Sequence, residues 1–296
     1  MIERARFVRI EEGGIAEYAA GLEPAATTPE WGQTRMEHPK TPVDPEAAAA
    51  FAICMNAINF GSGWWPTIRK RPGHSGYGTM AAGVRDRFAA HGPWVAEELA
   101  AIQAPAIADV VGQDPGHPLM SDFAAALRDV GAHLFAEFEG RYLGVVEEAD
   151  TIPGLAARLA GWESFADVSA YEGREVPFYK RAQLAAADLE RAGVATLPGS
   201  ERLTAFADNL VPHVLRVDGV LDLDPELTAA IESGQLLVHD SPQEVELRAA
   251  SVHAVELLVA AGGGPSPAEI DSALWNRGSA PRYKSLPRPR SRNTAY

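Results

Sequence analysis

The segment FADNLVPH, residues 206–213, carries the carboxylate with the clearest potential for chemistry. Apolar residues recur at spacings of three and four over 203–215, which predicts a helix with one buried face. Asp208 is the one carboxylate within that pattern, and Pro212 follows it by four residues. Because proline lacks an N–H and displaces the carbonyl four residues before it, we expect a kink that exposes Asp208 to a pocket.

A carboxylate in such surroundings can stabilise an oxocarbenium ion or activate water, which are the demands of glycosidic-bond cleavage. The structural alternative is an ion pair between Asp208 and an arginine such as Arg181 or Arg248. The pattern alone leaves both interpretations open.

Other chemistries have little support in the sequence. Eight histidines show no HExxH motif and Cys54 is the only cysteine, so we expect no metal site. There is no G-x-S-x-G motif for acyl transfer. The glycine-rich segment 61–78 matches neither common phosphate-binding loop, but it places aromatic residues beside hydrogen-bond donors. It is either a structural loop or one wall of a site for a flat heterocycle.

The composition favours a small-molecule ligand. Lys and Arg number 26 against 40 Asp and Glu, a formal charge of -14, which counts against a stable nucleic-acid complex. The lone Cys54 lies in an apolar run, which favours a reducing, cytoplasmic location. The uncharged run 47–68 contains Asn56, Asn59 and Pro66, so we interpret it as a buried helix and a loop rather than a membrane span.

The pattern along the chain predicts a mainly helical protein with a few short strands. We expect an irregular N-terminal segment over 1–45, then a helix from the cap Asp44 to about Asn59, and a last long helix from the cap Ser241 to the glycines at 262–264. Further helices are predicted at 79–90, 93–102, 119–131, 133–139, 152–159, 181–192 and 225–233, and strands at 175–180 and 235–240.

The last residues form a basic tail, 278–296, within what we interpret as one compact domain over 1–296. Its cations have no nearby acidic residues in the sequence. The tail is therefore either disordered or folded back as a phosphate clamp.

Several segments in order resemble one family, the queuosine salvage proteins, which are queuosine 5'-phosphate N-glycosylase/hydrolases. The resemblance spans about 49–296 and is carried by NAINFGSGWWP, HSGYGTMAAGVRDRF, EVPFYKRAQLAAADL, LTAFADNLVPHVLRVDGVL, SPQEVELRAASVHAVELL and EIDSALWNRG. It implies a helical fold similar to DNA glycosylases and cofactor-independent hydrolysis of the N-glycosidic bond, which releases queuine for salvage into tRNA modification. The alternative is a 7-deazaguanine-binding protein without catalysis.

The resemblance also implies roles for individual residues. Asp208 matches the family's catalytic aspartate, and Lys180 is a candidate partner for the 5'-phosphate. The sequence departs from the family where ADNLVPH replaces ADYRVPQ, which puts recognition around Asp208 in question. The remaining candidate substrate-binding residues are Asn59, Phe60, Trp64, His74, Tyr77, Asn209 and His213.

Overall fold

A computed structural model describes residues 2–22 and 44–296, so about half of the segment 1–45, which we expected to be irregular, lies outside the described residues. The described part of that segment is not wholly irregular, because residues 8–10 form a strand and residues 15–20 form a helix. The mainly helical prediction is confirmed. The helices are α1 Ile15–Ala20, α2 Pro45–Ala57, α3 Gly76–His91, α4 Ala96–Ala101, α5 Ala104–Val111, α6 Pro118–Glu137, α7 Tyr142–Glu147, α8 Ile152–Ala160, α9 Lys180–Arg191, α10 Leu210–Val217, α11 Pro225–Glu232, α12 Pro242–Gly262, α13 Pro267–Arg277 and α14 Pro281–Lys284. The strands are β1 Val8–Ile10, β2 Val168–Tyr171, β3 Arg174–Pro177 and β4 Leu221–Leu223.

The strands form two small antiparallel sheets, β1 with β4 and β2 with β3. The strand predicted at 175–180 corresponds to β3, which ends before α9 begins. The prediction of a strand at 235–240 is wrong. Residues 235–240 pair with no other strand in the described structure, although the Leu237 N–H donates to the Arg290 carbonyl of the C-terminal segment (2.8 Å).

Several helix limits follow from local capping, as predicted. Asp44 accepts a hydrogen bond from the Glu46 N–H (3.2 Å) at the start of α2, and Ser241 caps α12. The two helices predicted at 119–131 and 133–139 are instead the single helix α6. Gly131 does not break it, because this glycine allows close packing against α4: a Cβ there would lie 2.6 Å from the Ala100 nitrogen.

The helices enclose two large apolar cores. The first is built largely from α2 to α9 and includes Ile53 and Phe123. The second joins β1 and β4 to α10, α12 and α13 and includes Val255 and Leu274. Buried apolar surface of this extent is the main contribution to the stability of each half.

The segment around Asp208 differs from the kinked helix that we expected. Residues 203–208 are not helical, and α10 begins only at Leu210, so Pro212 lies in its first turn. The first-turn N–H groups of a helix have no intrahelical acceptor, and proline therefore breaks no bond there. The apolar pattern continues ahead of the helix because the non-helical residues Leu203 and Phe206 are also buried.

The C-terminal segment, residues 278–296, folds back against the rest of the chain. The Arg181 Nε donates to the Ala295 carbonyl (3.1 Å), and the Gly61 N–H donates to the Tyr296 carbonyl (3.1 Å). The backbone of this segment passes so close to Gly63 that a Cβ at Gly63 would collide with the Ser291 carbonyl. The tail is therefore folded back rather than disordered.

Candidate active site

A cavity of about 470 Å³ is lined by residues from both halves of the chain. This volume lies in the usual range of small-molecule sites. Trp64 and His213 are not among its lining residues, whereas seven of the nine predicted site residues are: Asn59, Phe60, His74, Tyr77, Lys180, Asp208 and Asn209.

Asp208 lies immediately before α10 and is held by the backbone of that helix. Its Oδ1 accepts hydrogen bonds from the N–H groups of Leu210 (2.7 Å) and Val211 (3.1 Å). These N–H groups lie in the first turn, where the helix itself offers them no acceptor. The positive end of the helix dipole also favours a carboxylate here. The helix start therefore fixes the orientation of Asp208 at the cavity wall, without the kink that the sequence predicted.

The arginines proposed as alternative partners of Asp208 are engaged elsewhere. Arg248 forms a buried two-point ion pair with Asp167 (2.9 and 2.7 Å), and its Nε donates to the Ala207 carbonyl (3.0 Å). Arg181 donates to the carbonyls of Ala57 and Ala295. The structural alternative of an ion pair with either arginine is therefore wrong.

Lys180 is 5% exposed and lies in the floor of the cavity. Its backbone N–H donates to Asp167 Oδ2 (2.9 Å), and its Nζ donates to the Asn59 carbonyl (3.1 Å). Burial lowers the pKa of Lys180 to about 8, although the negative charge of Asp208 opposes this shift. The preceding residue, Tyr179, has a φ of 50°, a left-handed conformation that is uncommon for a residue with a side chain.

Asp271 is a third ionisable residue at the cavity, and it was not predicted from the sequence. It lies on α13, is 5% exposed, and accepts a hydrogen bond from the Phe206 N–H (3.0 Å) through Oδ1. Burial raises the pKa of Asp271 well above its ordinary value, and the negative charge of Asp208 adds to this shift. Lys180, Asp208 and Asp271 are called the floor residues below.

A helical spacing could have pointed to Asp271. Asp271 and Trp275 are four residues apart, which places them on one side of α13, and both line the cavity together with Gly278, the residue that follows the helix. The signal is weak in the sequence, because a single carboxylate on an amphipathic helix is usually a solvent-exposed residue.

Aromatic residues supply flat apolar surface around the floor, including Phe60, Trp65, Tyr77 and Trp275. The prediction chose Trp64 from the Trp64–Trp65 pair, but Trp65 is the one that lines the cavity. Consecutive residues of the short 3₁₀-helix Ser62–Thr67 point in different directions. Trp64 instead packs against Arg292, whose Cζ lies 5.8 Å from the centre of the Trp64 ring.

His213 lies outside the cavity because it belongs to the second core. It is fully buried, and its Nε2 donates to the Tyr283 carbonyl (2.9 Å), which connects α10 to α14. Burial lowers the pKa of His213. Its neighbour Asn209 does line the cavity, and its Nδ2 donates to Ser62 Oγ (2.8 Å) and to the Pro289 carbonyl (3.1 Å).

Asn59 and His74 hold their places in the wall through local bonds. The Asn59 Nδ2 donates to Asn56 Oδ1 (3.3 Å), and Asn56 in turn donates to Asp188 Oδ2 (2.8 Å). The His74 Nδ1 bonds to the Pro72 carbonyl (3.0 Å). Asn59 therefore borders the cavity, and its side chain is also held to Asn56 of α2.

Three further cations line the cavity, and we call them the rim residues: Lys70, Lys284 and Arg288. Lys70 and Lys284 are exposed, while Arg288 is partly buried. Burial lowers the pKa of Arg288, and Asp208 opposes that shift, so the arginine lies within electrostatic range of the floor. In a protein with a charge of -14, this local positive charge favours an anionic ligand.

Away from the cavity lining, one potential metal-binding group was found among the described residues. His239, Asp240 and Glu244 each place a ligand atom within 4.8 Å of the others. Glu244 already accepts from the Asp240 N–H (3.1 Å) and lies 4.0 Å from the Arg248 Nε. Within the described part of the chain, no helix combines the length and apolarity that crossing a bilayer requires.

Comparison with known proteins gives a consistent result. The family model described as queuosine salvage protein matches residues 37–296. A protein of Sphaerobacter thermophilus, named queuosine 5'-phosphate N-glycosylase/hydrolase, is 28% identical, with 100% of this chain and 95% of the relative aligned. Proteins with the same name from Bos taurus and Dictyostelium discoideum are each 29% identical; the alignments cover 92% and 85% of this chain and 87% and 79% of the relatives.

Proposed function

The chain belongs to the queuosine salvage protein family, and from this premise we propose that it hydrolyses the N-glycosidic bond of queuosine 5'-phosphate and releases queuine. The observation that carries the proposal is the position of Asp208. Its carboxylate is fixed by two backbone bonds at the wall of a cavity with aromatic sides and a cationic rim. These are the parts that a nucleotide N-glycosidase requires.

In the proposed reaction, the base lies among the aromatic side chains and the ribose lies over Asp208. As the bond between C1' and the base nitrogen breaks, positive charge develops on the sugar, and the fixed carboxylate of Asp208 stabilises it and orients water. Because the two backbone bonds already hold Asp208 in place, little reorganisation is needed during the reaction.

Two alternatives for the 5'-phosphate arose from the sequence, Lys180 and the basic tail. We propose that the tail residues Lys284 and Arg288 bind it, because they lie at the rim of the cavity and Lys284 is exposed. Lys180 is instead buried among carboxylates. Its positive charge then offsets the negative charge that the floor carboxyl groups carry.

We also propose that turnover requires no metal ion and no cofactor, that the protein acts in the cytoplasm, and that it forms no stable complex with nucleic acid. The net charge of -14 supports the last point. If turnover requires no metal ion, the protein should retain full activity after dialysis against EDTA.

The deciding experiment incubates the purified protein with queuosine 5'-phosphate or queuosine and measures free queuine by liquid chromatography. We expect queuine from both, with a higher kcat/KM for the nucleotide. Asp208→Asn is the matched control, since the amide keeps the size of the side chain and removes its charge. Binding of either compound without release of queuine would support the alternative of a non-catalytic binding protein.

A further inference from the structure

Asp271 is a buried carboxyl group at the cavity to which the proposed reaction so far assigns no role. It is 5% exposed, and its Oδ1 accepts a hydrogen bond from the Phe206 N–H (3.0 Å). A carboxylate is rarely buried to this extent unless it is paired or functional. Asp271 therefore requires an explanation within the chemistry of the site.

The charged groups around Asp271 come from several elements. Asp208, in the segment before α10, and Lys180 and Arg191, at the two ends of α9, lie within electrostatic range of Asp271. The rim residues Lys284 and Arg288 line the same cavity. Asp208 and Asp271 thus share the buried cation Lys180, and the floor is electrically balanced when one of the two carboxyl groups retains a proton.

The two carboxyl groups differ in their surroundings, and this difference decides which of them holds the proton. Asp208 accepts two backbone N–H bonds at a helix start and is only partly buried. Asp271 accepts one N–H bond and is almost fully enclosed. Burial raises the pKa of Asp271, which agrees with this assignment. A pair of carboxyl groups whose environments separate their protonation states is the arrangement that general acid–base catalysis uses.

Release of the base creates a need for such a proton. When the bond between C1' and the base nitrogen breaks, the electron pair goes to that nitrogen, and the base must gain a proton to leave as a neutral molecule. In a 7-deazaguanine the ring position that would be N7 of guanine is a carbon, so protonation at that nitrogen is not available to assist departure.

We propose that Asp271, in its carboxylic acid form, is the general acid that protonates the departing base, while Asp208 receives the proton of the attacking water; the inference rests on the proposed function. The C1'–N bond breaks, a C1'–O bond forms with water, and one proton passes to each of the base and Asp208. Exchange of these protons with solvent after product release restores Asp271 as the acid and Asp208 as the carboxylate.

The test compares two substrates that differ in their need for a proton. Queuosine 5'-phosphate needs one at the base, whereas 4-nitrophenyl β-ribofuranoside 5'-phosphate releases a stable anion without one. We expect Asp271→Asn to lower kcat on the first by about 10²–10⁴-fold and on the second by less than about threefold. Asp208→Asn should lower kcat on both, because both reactions develop positive charge at C1'.

Two controls separate catalysis from folding and from recognition of the base. Asparagine can still accept the Phe206 N–H bond, and Asp271→Glu, which retains an acid, should recover part of the activity on queuosine 5'-phosphate. The Kd of free queuine should change by less than about threefold in Asp271→Asn, since the amide can still hydrogen-bond to the base.

Equal losses on both substrates, or no loss on either, would overturn the assignment of Asp271. A higher KM for queuosine 5'-phosphate at unchanged kcat, together with weaker queuine binding, would also overturn it and would identify Asp271 as a recognition residue. Failure of the wild-type protein to release queuine from queuosine 5'-phosphate would instead overturn the proposed function, and the inference with it.

Discussion

The floor and the rim of the cavity are built differently, although both are made of charged residues. The floor residues Lys180 and Asp271 are each 5% exposed, and all three floor residues are hydrogen-bonded to the backbone. At the rim, Lys70 and Lys284 are exposed on long side chains. Charges act strongly where water is excluded and weakly where solvent screens them. We therefore expect the floor to determine kcat and the rim to determine KM.

The largest effect across substrates should come from Asp208→Asn, since Asp271→Asn should act only where the leaving base needs a proton. We expect kcat to fall by at least about 10²–10³-fold with KM changed little, because the lost charge acts on the transition state. The fold should persist, since the Asn side-chain oxygen can still accept the Leu210 and Val211 N–H groups. Single-turnover release of queuine measures this, and turnover within a few-fold of wild type would remove Asp208 from the mechanism.

Lys180→Met should produce a smaller loss than Asp208→Asn or Asp271→Asn. Removing the buried cation leaves Asp208 and Asp271 without the charge that they share, and we expect kcat to fall by about 10–100-fold, as for loss of a charged hydrogen-bond partner. KM for the nucleotide should change much less. A rise in KM with unchanged kcat would show that Lys180 binds the phosphate, as the sequence suggested.

The burial of Lys180 also predicts a pH dependence of stability. The pKa of Lys180 is lowered from 10.5 to about 8 in the folded protein, so the unfolded chain binds more protons between these values. The folded state therefore gains stability as pH rises from 8 to 10.5, by up to about 3 kcal/mol. The difference in unfolding free energy between wild type and Lys180→Met should rise over this window. A difference that stays constant would contradict the lowered pKa.

At the rim, the double variant Lys284→Met and Arg288→Met should raise KM for queuosine 5'-phosphate by about 10–100-fold at unchanged kcat. Turnover of queuosine, which lacks the phosphate, should be unaffected. The matched control is Arg292→Met, which removes a charge from the same segment but from a side chain that packs on Trp64. Added salt should reduce the nucleotide preference of the wild type. Loss of queuosine turnover in the double variant would indicate damage to the floor instead.

Features that depend on neighbouring residues could be predicted from the sequence, whereas features that depend on the packing of distant segments could not. Local signals, such as the caps at Asp44 and Ser241, gave correct helix starts because they depend on neighbouring residues. The pairing of Asp208 with Asp271 depends on the packing of two distant segments, and no local pattern encodes it. The apolar pattern singled out Asp208, and the family resemblance implied its catalytic role. The prediction placed Asp208 on a kinked helix because buried non-helical residues continue the apolar pattern.

The smallest effect should come from Pro212→Ala, which separates the observed geometry from the kinked helix. If Pro212 forced a kink, alanine would straighten the helix, withdraw Asp208 and lower activity. In the structure Pro212 occupies the first turn of α10 and Asp208 is held by the N–H groups of Leu210 and Val211, which alanine leaves in place.

We therefore expect the kcat of Pro212→Ala to lie within about twofold of wild type. Its free energy of unfolding should be lower by about 1 kcal/mol, because alanine gives the unfolded chain more conformational freedom. Thermal unfolding and the queuine-release assay measure the two quantities. A more stable but less active variant would restore the kink as the device that positions Asp208.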